Sequence, residues 1–152
     1  MKRILIVEDD LAFGTMIQTW LKKKGFDVER VTSVGAAIKA MGAGDAFHLV
    51  LSDLRLPDHD GLVLLQHIRK SDARLPFIVM TSYAEVQNAV CAMKSGATDY
   101  VAKPFHPEIL LEKIHEAIQS AASAVSAPQR AESAAMQDAP QEEQQSAEVL
   151  DI

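Results

Sequence analysis

The chain has 152 residues, 48% of them hydrophobic and 5% aromatic, and a formal net charge of −6. No apolar run approaches the ~18 residues needed to cross a bilayer, and no basic face suggests direct binding of nucleic acid, so membrane and nucleic-acid roles are not expected. Cys91 is the single cysteine, which excludes internal disulfides and fits a reducing, cytoplasmic location.

Arg3 to Val7 reads as a short apolar strand ending at Glu8-Asp9-Asp10, too brief a run for a signal peptide. Leu11 to Lys24 has helical spacing through Leu11, Met16, Ile17, Trp20 and Leu21, with Gly25 as a stop. Phe26 to Val31 is a second strand, and Thr32 or Ser33 caps a helix through about Met41, ended by Gly42 and Gly44. Phe47 to Ser52 is a third, mostly apolar strand. It breaks at Asp53 into a loop punctuated by Pro57 and the turn Asp58-His59-Asp60-Gly61. A helix follows over Leu62 to Lys70, and a fourth strand over Leu75 to Met80, entered through Pro76. Glu85 to Ser95 is a helix stopped by Gly96, with Cys91 expected as a small apolar filler. Asp99 to Ala102 is a fifth strand, and Pro107 opens the last helix at its first turn.

Five alternations of strand and helix predict an α/β fold, a doubly wound five-stranded parallel sheet with helices on both faces. Right-handed crossovers favour the flavodoxin-like strand order 2-1-3-4-5. Residues 1–120 form one domain with 14 Lys/Arg against 15 Asp/Glu, a balance of −1. Residues 121–152 carry 1 against 6, a balance of −5, and their Ala, Gln, Ser and Glu read as a linker or disordered tail.

That strand order sets strands one and three side by side, so Glu8, Asp9 and Asp53 converge at the sheet's carboxyl edge, where open α/β sheets place ligands. Three carboxylates so close repel, each ionised pair costing about 4 kcal/mol at ~4 Å and an effective dielectric near 20. Nothing nearby in sequence offsets this except a cation, and an all-oxygen ligand set favours Mg²⁺, for which Mn²⁺ could substitute. One of Glu8-Asp9-Asp10 also serves as a cap for the first helix. Strand four ends in Met80-Thr81-Ser82 and strand five in Ala102-Lys103-Pro104-Phe105, so a hydroxyl and an ammonium face the same crevice. Either alone is ordinary, a helix cap or a solvated lysine. Together with a carboxylate and a divalent metal they suit phosphoryl transfer, with Asp53 as nucleophile and Lys103 and Thr81 on phosphoryl oxygens.

The chain resembles the receiver domains of bacterial two-component response regulators. The matching stretches are Val7-Glu8-Asp9-Asp10, Asp53-x-x-x-Pro57-x-x-x-Gly61, Met80-Thr81-Ser82 and Asp99-Tyr100-Val101-Ala102-Lys103-Pro104-Phe105, in the family's order and spacing from residue 3 to about 118. The resemblance implies Asp53 as phosphoacceptor, Asp9 and Asp53 as direct Mg²⁺ ligands, Glu8 through water, and the backbone carbonyl of Arg55 completing the set. It further implies Thr81 and Tyr100 as a switch pair, a cis peptide at Lys103-Pro104, and a sensor histidine kinase or phosphotransfer protein as partner. Such a domain is a signalling module that assists only its own phosphorylation and dephosphorylation. Val86 to Ala97 resembles the receivers of nitrogen-regulation-type transcriptional activators, whose output would lie beyond this chain. The alternative is a stand-alone receiver that acts by docking to other proteins.

Arg55 and Tyr83 flank the site as bulky residues able to hinder a hydrolytic water. An aspartyl-phosphate phosphatase would need a second Asp where Arg55 stands, and a nucleotide-binding domain a glycine-rich turn where Glu8-Asp9-Asp10 stands. The five histidines have no metal or relay spacing. In the last helix, Leu111, Ile114, Ile118, Ala121 and Val125 form a heptad-like stripe that outruns the sheet, from which a weak homodimer is expected.

Overall fold

The computed structural model describes residues 1–44 and 46–126, and of Tyr83 and residues 123–126 it describes only the backbone. Strands β1 (Arg3–Val7), β2 (Asp27–Val31), β3 (Leu49–Asp53), β4 (Phe77–Ser82) and β5 (Asp99–Lys103) alternate with helices α1 (Leu11–Lys23), α2 (Val34–Gly42), α3 (Gly61–Ser71), α4 (Val86–Lys94) and α5 (Pro107–Ser126). A single 3-10 turn, Tyr83–Glu85, leads into α4. All strands are parallel, in the order β2-β1-β3-β4-β5. The expected doubly wound α/β architecture is therefore present.

The central strands are continuous apolar runs because both their faces are covered. Alternate residues point to opposite faces. Leu5, Val7, Val50, Phe77 and Val79 meet Ala37 of α2, Leu64 and Leu65 of α3 and Ala92 of α4. Ile4, Ile6, Leu51, Ile78 and Met80 meet Ile17 and Leu21 of α1 with Leu110 and Ile114 of α5. Each such aliphatic side chain, fully withdrawn from water, contributes about 1.5–3 kcal/mol before the entropy of ordering is set against it.

Local chemistry sets where the helices begin and end. Asp10, Ser33 and Asp60 cap α1, α2 and α3, their side chains accepting from the N–H groups of Phe13, Ala36 and Leu62. Caps of this kind are worth about 1 kcal/mol each. Gly25 and Gly96, at φ +98° and +111°, end α1 and α4 in the left-handed region that favours glycine.

Several sequence expectations shift. Leu11 and Met16 point outward, and the buried face of α1 is Gly14, Ile17 and Leu21. Cys91 is exposed, because Ala89 and Ala92 supply the inward face of α4. In α5 the sheet is covered by Leu110, Ile114 and Ala117, while Leu111 and Ile118 pack at its margin. The helix runs on to Ser126, past the composition change near 120, with Ala121 only partly exposed. The Val125 side chain and the tail 127–152 lie outside the described residues.

Candidate functional site

The strand register levels the carboxyl ends: Val7 lies opposite Ser52, Asp53 opposite Met80, and Ser82 opposite Lys103. Glu8 follows β1, Asp53 ends β3, Thr81 is next to last in β4, and Lys103 ends β5. Oxygens of Glu8, Asp9 and Asp53 all lie within 4.8 Å of one another. The convergence expected from strand order is what the structure has.

The offset to their repulsion comes partly from the chain itself. Lys103 Nζ donates to Glu8 Oε1 at 2.6 Å and to Asp53 Oδ2 at 2.8 Å. One ammonium thus pairs with two of the three carboxylates, which leaves the cluster with excess formal negative charge. Burial raises the Glu8 carboxyl above the usual glutamate range, against the lowering effects of hydrogen bonds from Lys103 and the Asp10 N–H. Burial also pulls Lys103 down, but its hydrogen bonds to Asp53 and Glu8 outweigh this and hold its pKa above that of an ordinary lysine. This ammonium comes from strand five, distant in sequence, as expected of a lysine facing the same crevice.

Phe13 is a member of this site that the sequence reading missed. Its ring centroid stands 4.4 Å from Lys103 Nζ, and it meets the Phe105 ring edge-on at 5.6 Å. The aromatic face attracts the ammonium and shields one side of it from water. The signal lay in the helical offset from Asp10, three residues before, whose cap fixes the first turn of α1.

The loop between β3 and α3 is held at three points. Gly61 N donates to the Leu54 carbonyl at 2.8 Å, and a Cβ on Gly61 would stand 2.4 Å from the Asp53 carbonyl oxygen, so only glycine fits. The Asp58 carboxylate accepts from the N–H groups of Val34, Gly35 and His59, tying the loop to the start of α2. The Gly35, Val34 and His59 donors hold its pKa below that of an ordinary aspartate. Arg55 N donates to Asp53 Oδ1 at 3.1 Å, while its guanidinium pairs with Glu85 at 2.6 Å. Glu85 also accepts from Asn88. Leu54, Arg55, Leu56, Asp60, Glu85 and Asn88 line an open groove of about 350 Å³ beside the acidic cluster.

Thr81 is 1% exposed, and its hydroxyl donates to the Ser82 carbonyl at 3.3 Å. Tyr100 is partly buried against the core that includes Val79 and Ala97. The Lys103-Pro104 peptide is cis. The Tyr83 side chain, expected to flank the site, lies outside the described residues.

The donor set is all oxygen, and the exposed Asp9 leaves it open to water, which fits a hard divalent cation such as Mg²⁺. A model of the response regulator receiver domain matches residues 4–115.

The chain belongs to that family.

Receiver domains are the signalling modules of two-component systems and not a classical enzyme family. The response regulator protein FleR of Pseudomonas aeruginosa is 40% identical over 112 residues, 74% of this chain and 24% of FleR. The cell cycle transcriptional regulator CtrA of Caulobacter vibrioides is 32% identical over 117 residues, 77% of this chain and 50% of CtrA. The chain therefore spans a quarter to a half of these relatives. Among solved structures, a CheY-like receiver domain protein from Methanospirillum hungatei superposes with a TM-score of 0.74 at 36% identity, over 81% of this chain and 98% of that one. NtrX of Brucella abortus gives 0.78 at 26% identity, over 83% and 29%. Among the described residues no helix is long and apolar enough to cross a membrane.

Proposed function

We propose that this receiver takes a phosphoryl group onto Asp53 from a sensor histidine kinase or phosphotransfer protein. A carboxylate oxygen of Asp53 attacks phosphorus as the bond from phosphorus to the donor's leaving atom breaks, and an acyl phosphate results. The leaving group departs with the bonding pair. Lys103 Nζ, already 2.8 Å from Asp53 Oδ2, is the observation that carries the reading, because it is placed to pair with an incoming phosphoryl oxygen. Thr81 would accept the role of hydrogen-bond donor to a second oxygen. Glu8, Asp9, Asp53 and the Arg55 carbonyl would hold Mg²⁺, or Mn²⁺ in its place, which when bound supplies neutralisation of the crowded negative charge.

In this reading the domain assists only its own phosphorylation and dephosphorylation. Thr81 moving toward the phosphoryl group would free space for Tyr100 to turn inward, changing the surface offered to an output. That output is transcriptional control through a domain beyond this chain, with residues 121–152 as the linker to it, in a cytoplasmic protein that does not itself bind nucleic acid through this segment. Transcription is favoured over stand-alone docking by CtrA, which is named as a transcriptional regulator. The end of α5 would also support a weak homodimer.

The test is direct. Incubation with acetyl phosphate and Mg²⁺ should add one phosphoryl group by intact mass, and Asp53→Asn should abolish the addition. Undiminished labelling of the Asn variant would exclude Asp53 as acceptor.

A further inference from the structure

Resting on that reading of the acidic cluster, we infer that Arg30 is a positioning residue for it, and that Gly14 is glycine in order to admit the Arg30 side chain. Arg30 lies on β2, and its Nη1 donates to the main-chain carbonyl of Glu8 at 3.0 Å. To reach that carbonyl the side chain passes Gly14, which closes the first turn of α1. A Cβ on Gly14 would stand 2.7 Å from Arg30 Cδ, 3.2 Å from Nη1 and 3.3 Å from Nε. The guanidinium therefore lies in a slot that any other residue at position 14 would fill.

Glycine is a poor helix former, and Gly14 lies in the interior of a 13-residue helix without the positive φ that would demand it. The close approach of Arg30 supplies the reason that backbone conformation does not. Every other group of Glu8 already has a partner. Its N–H donates to the Val31 carbonyl at 3.0 Å, and its carboxylate accepts from Asp10 N–H at 3.1 Å and from Lys103 at 2.6 Å. The carbonyl held by Arg30 belongs to the peptide that joins Glu8 to Asp9. Fixing that oxygen fixes the rotation of the peptide plane, and with it the direction from which the Asp9 side chain enters the cluster. The planar fork of arginine is suited to this, since it can lie flat over the Cβ-less turn and still aim an N–H at the carbonyl.

The experiment uses the full 152-residue chain and Mn²⁺, followed by electron paramagnetic resonance with Mg²⁺ as competitor. Partners that orient a metal's ligands typically govern affinity by about 10- to 100-fold, so Arg30→Met should weaken Mn²⁺ binding about tenfold or more. Gly14→Ala should do the same by expelling the arginine. The double variant should bind no more weakly than Arg30→Met alone, and Arg30→Lys should recover part of the loss. Additive losses, or unchanged binding in Arg30→Met while Asp9→Asn loses it, would overturn the assignment. If the wild type itself fails to bind Mn²⁺, the metal reading falls, and Arg30 is then judged on the metal-free protein. There, hydrogen exchange at the Asp10 amide should quicken in Arg30→Met and be restored by Arg30→Lys, and an unaltered rate would reject the positioning role.

Discussion

Lys103 Nζ meets Glu8 Oε1 at 2.6 Å across 95 residues of chain, and the Glu8 side chain it meets is 1% exposed. The same ammonium holds Asp53 at 2.8 Å, so a single cation ties the ends of the first, third and fifth strands together. It leaves the three carboxylates under-compensated, and this imbalance makes the cluster receptive to a second cation.

Mg²⁺ should therefore stabilise the fold. A ligand that binds only the folded state adds about 1.4 kcal/mol at ten times its dissociation constant. Urea unfolding with and without Mg²⁺ should show this gain in the wild type, and Asp9→Asn should lose most of it. An equal gain in both proteins would count against Asp9 as a ligand.

Acid should weaken the loop that carries Asp53. The Asp58 pKa is depressed in the folded protein by the N–H groups of Gly35, Val34 and His59. Its contribution is then complete above the ordinary aspartate value of ~3.9 and fades as pH falls through the lower folded value. Asp58→Asn should be less stable than wild type at neutral pH, with the gap narrowing toward pH ~3. A gap that is the same at both pH values would show that the charge of Asp58 is not what matters.

Two glycines should respond oppositely to alanine. At Gly61 the added Cβ would stand 2.4 Å from the Asp53 carbonyl oxygen, a main-chain atom that no rotamer change can move. Gly61→Ala should cost roughly 2–3 kcal/mol and impair phosphorylation of Asp53. At Gly42, in the last turn of α2, a Cβ would meet nothing within 4 Å. Gly42→Ala should leave stability unchanged or raise it by up to about 1 kcal/mol. Chemical denaturation of both variants checks the contrast, and similar losses at the two sites would contradict it.

Phosphorylation should be felt first between residues 81 and 105. Thr81 and Tyr100 lie on adjacent strands, with Val79 opposite Tyr100 and Thr81 opposite Ala102 in the register. Amide shifts on treatment with acetyl phosphate are expected to concentrate there. Shifts clustered on α1 instead would place the output surface elsewhere.

Association, if it follows α5, should depend on the helix end. Sedimentation of residues 1–152 against 1–119 at high micromolar concentration should show weak dimer only for the longer chain. Few large apolar groups are available there, and at ~25 cal/mol per Å² the buried area supports only a marginal interface. Monomers in both cases, with and without phosphorylation, would leave the helix end as part of a linker.

Strand ends were legible because apolar runs stop abruptly at Glu8, Asp53 and Lys103, and topology rules then bring those stops together. Gly61 was legible as a turn residue, although its true constraint is the nearness of the Asp53 carbonyl. What could not be read were contacts between elements distant in sequence. Phe13 against Lys103, Arg30 across Gly14, and Asp58 at the start of α2 all depend on how neighbouring layers are offset. Helix faces were read only approximately, because Leu11, Met16 and Leu111 are as apolar as the residues that turn inward beside them. On α4, small Ala89 and Ala92 took the face assigned to Cys91.

A five-stranded open sheet has two bare borders, and here they are β2 and β5, each five residues long. On β2, Asp27 and Glu29 point outward beside Arg3, which pairs with both at 3.1 and 3.3 Å. A foreign strand laid along that border would have to accommodate these charged side chains on one of its faces. On β5, Asp99 is engaged by Lys113 at 3.1 Å, and Lys103 is committed to the acidic cluster. Short, charged borders of this kind resist edge-to-edge templating. Recruitment of further copies by strand pairing at these borders is thereby disfavoured.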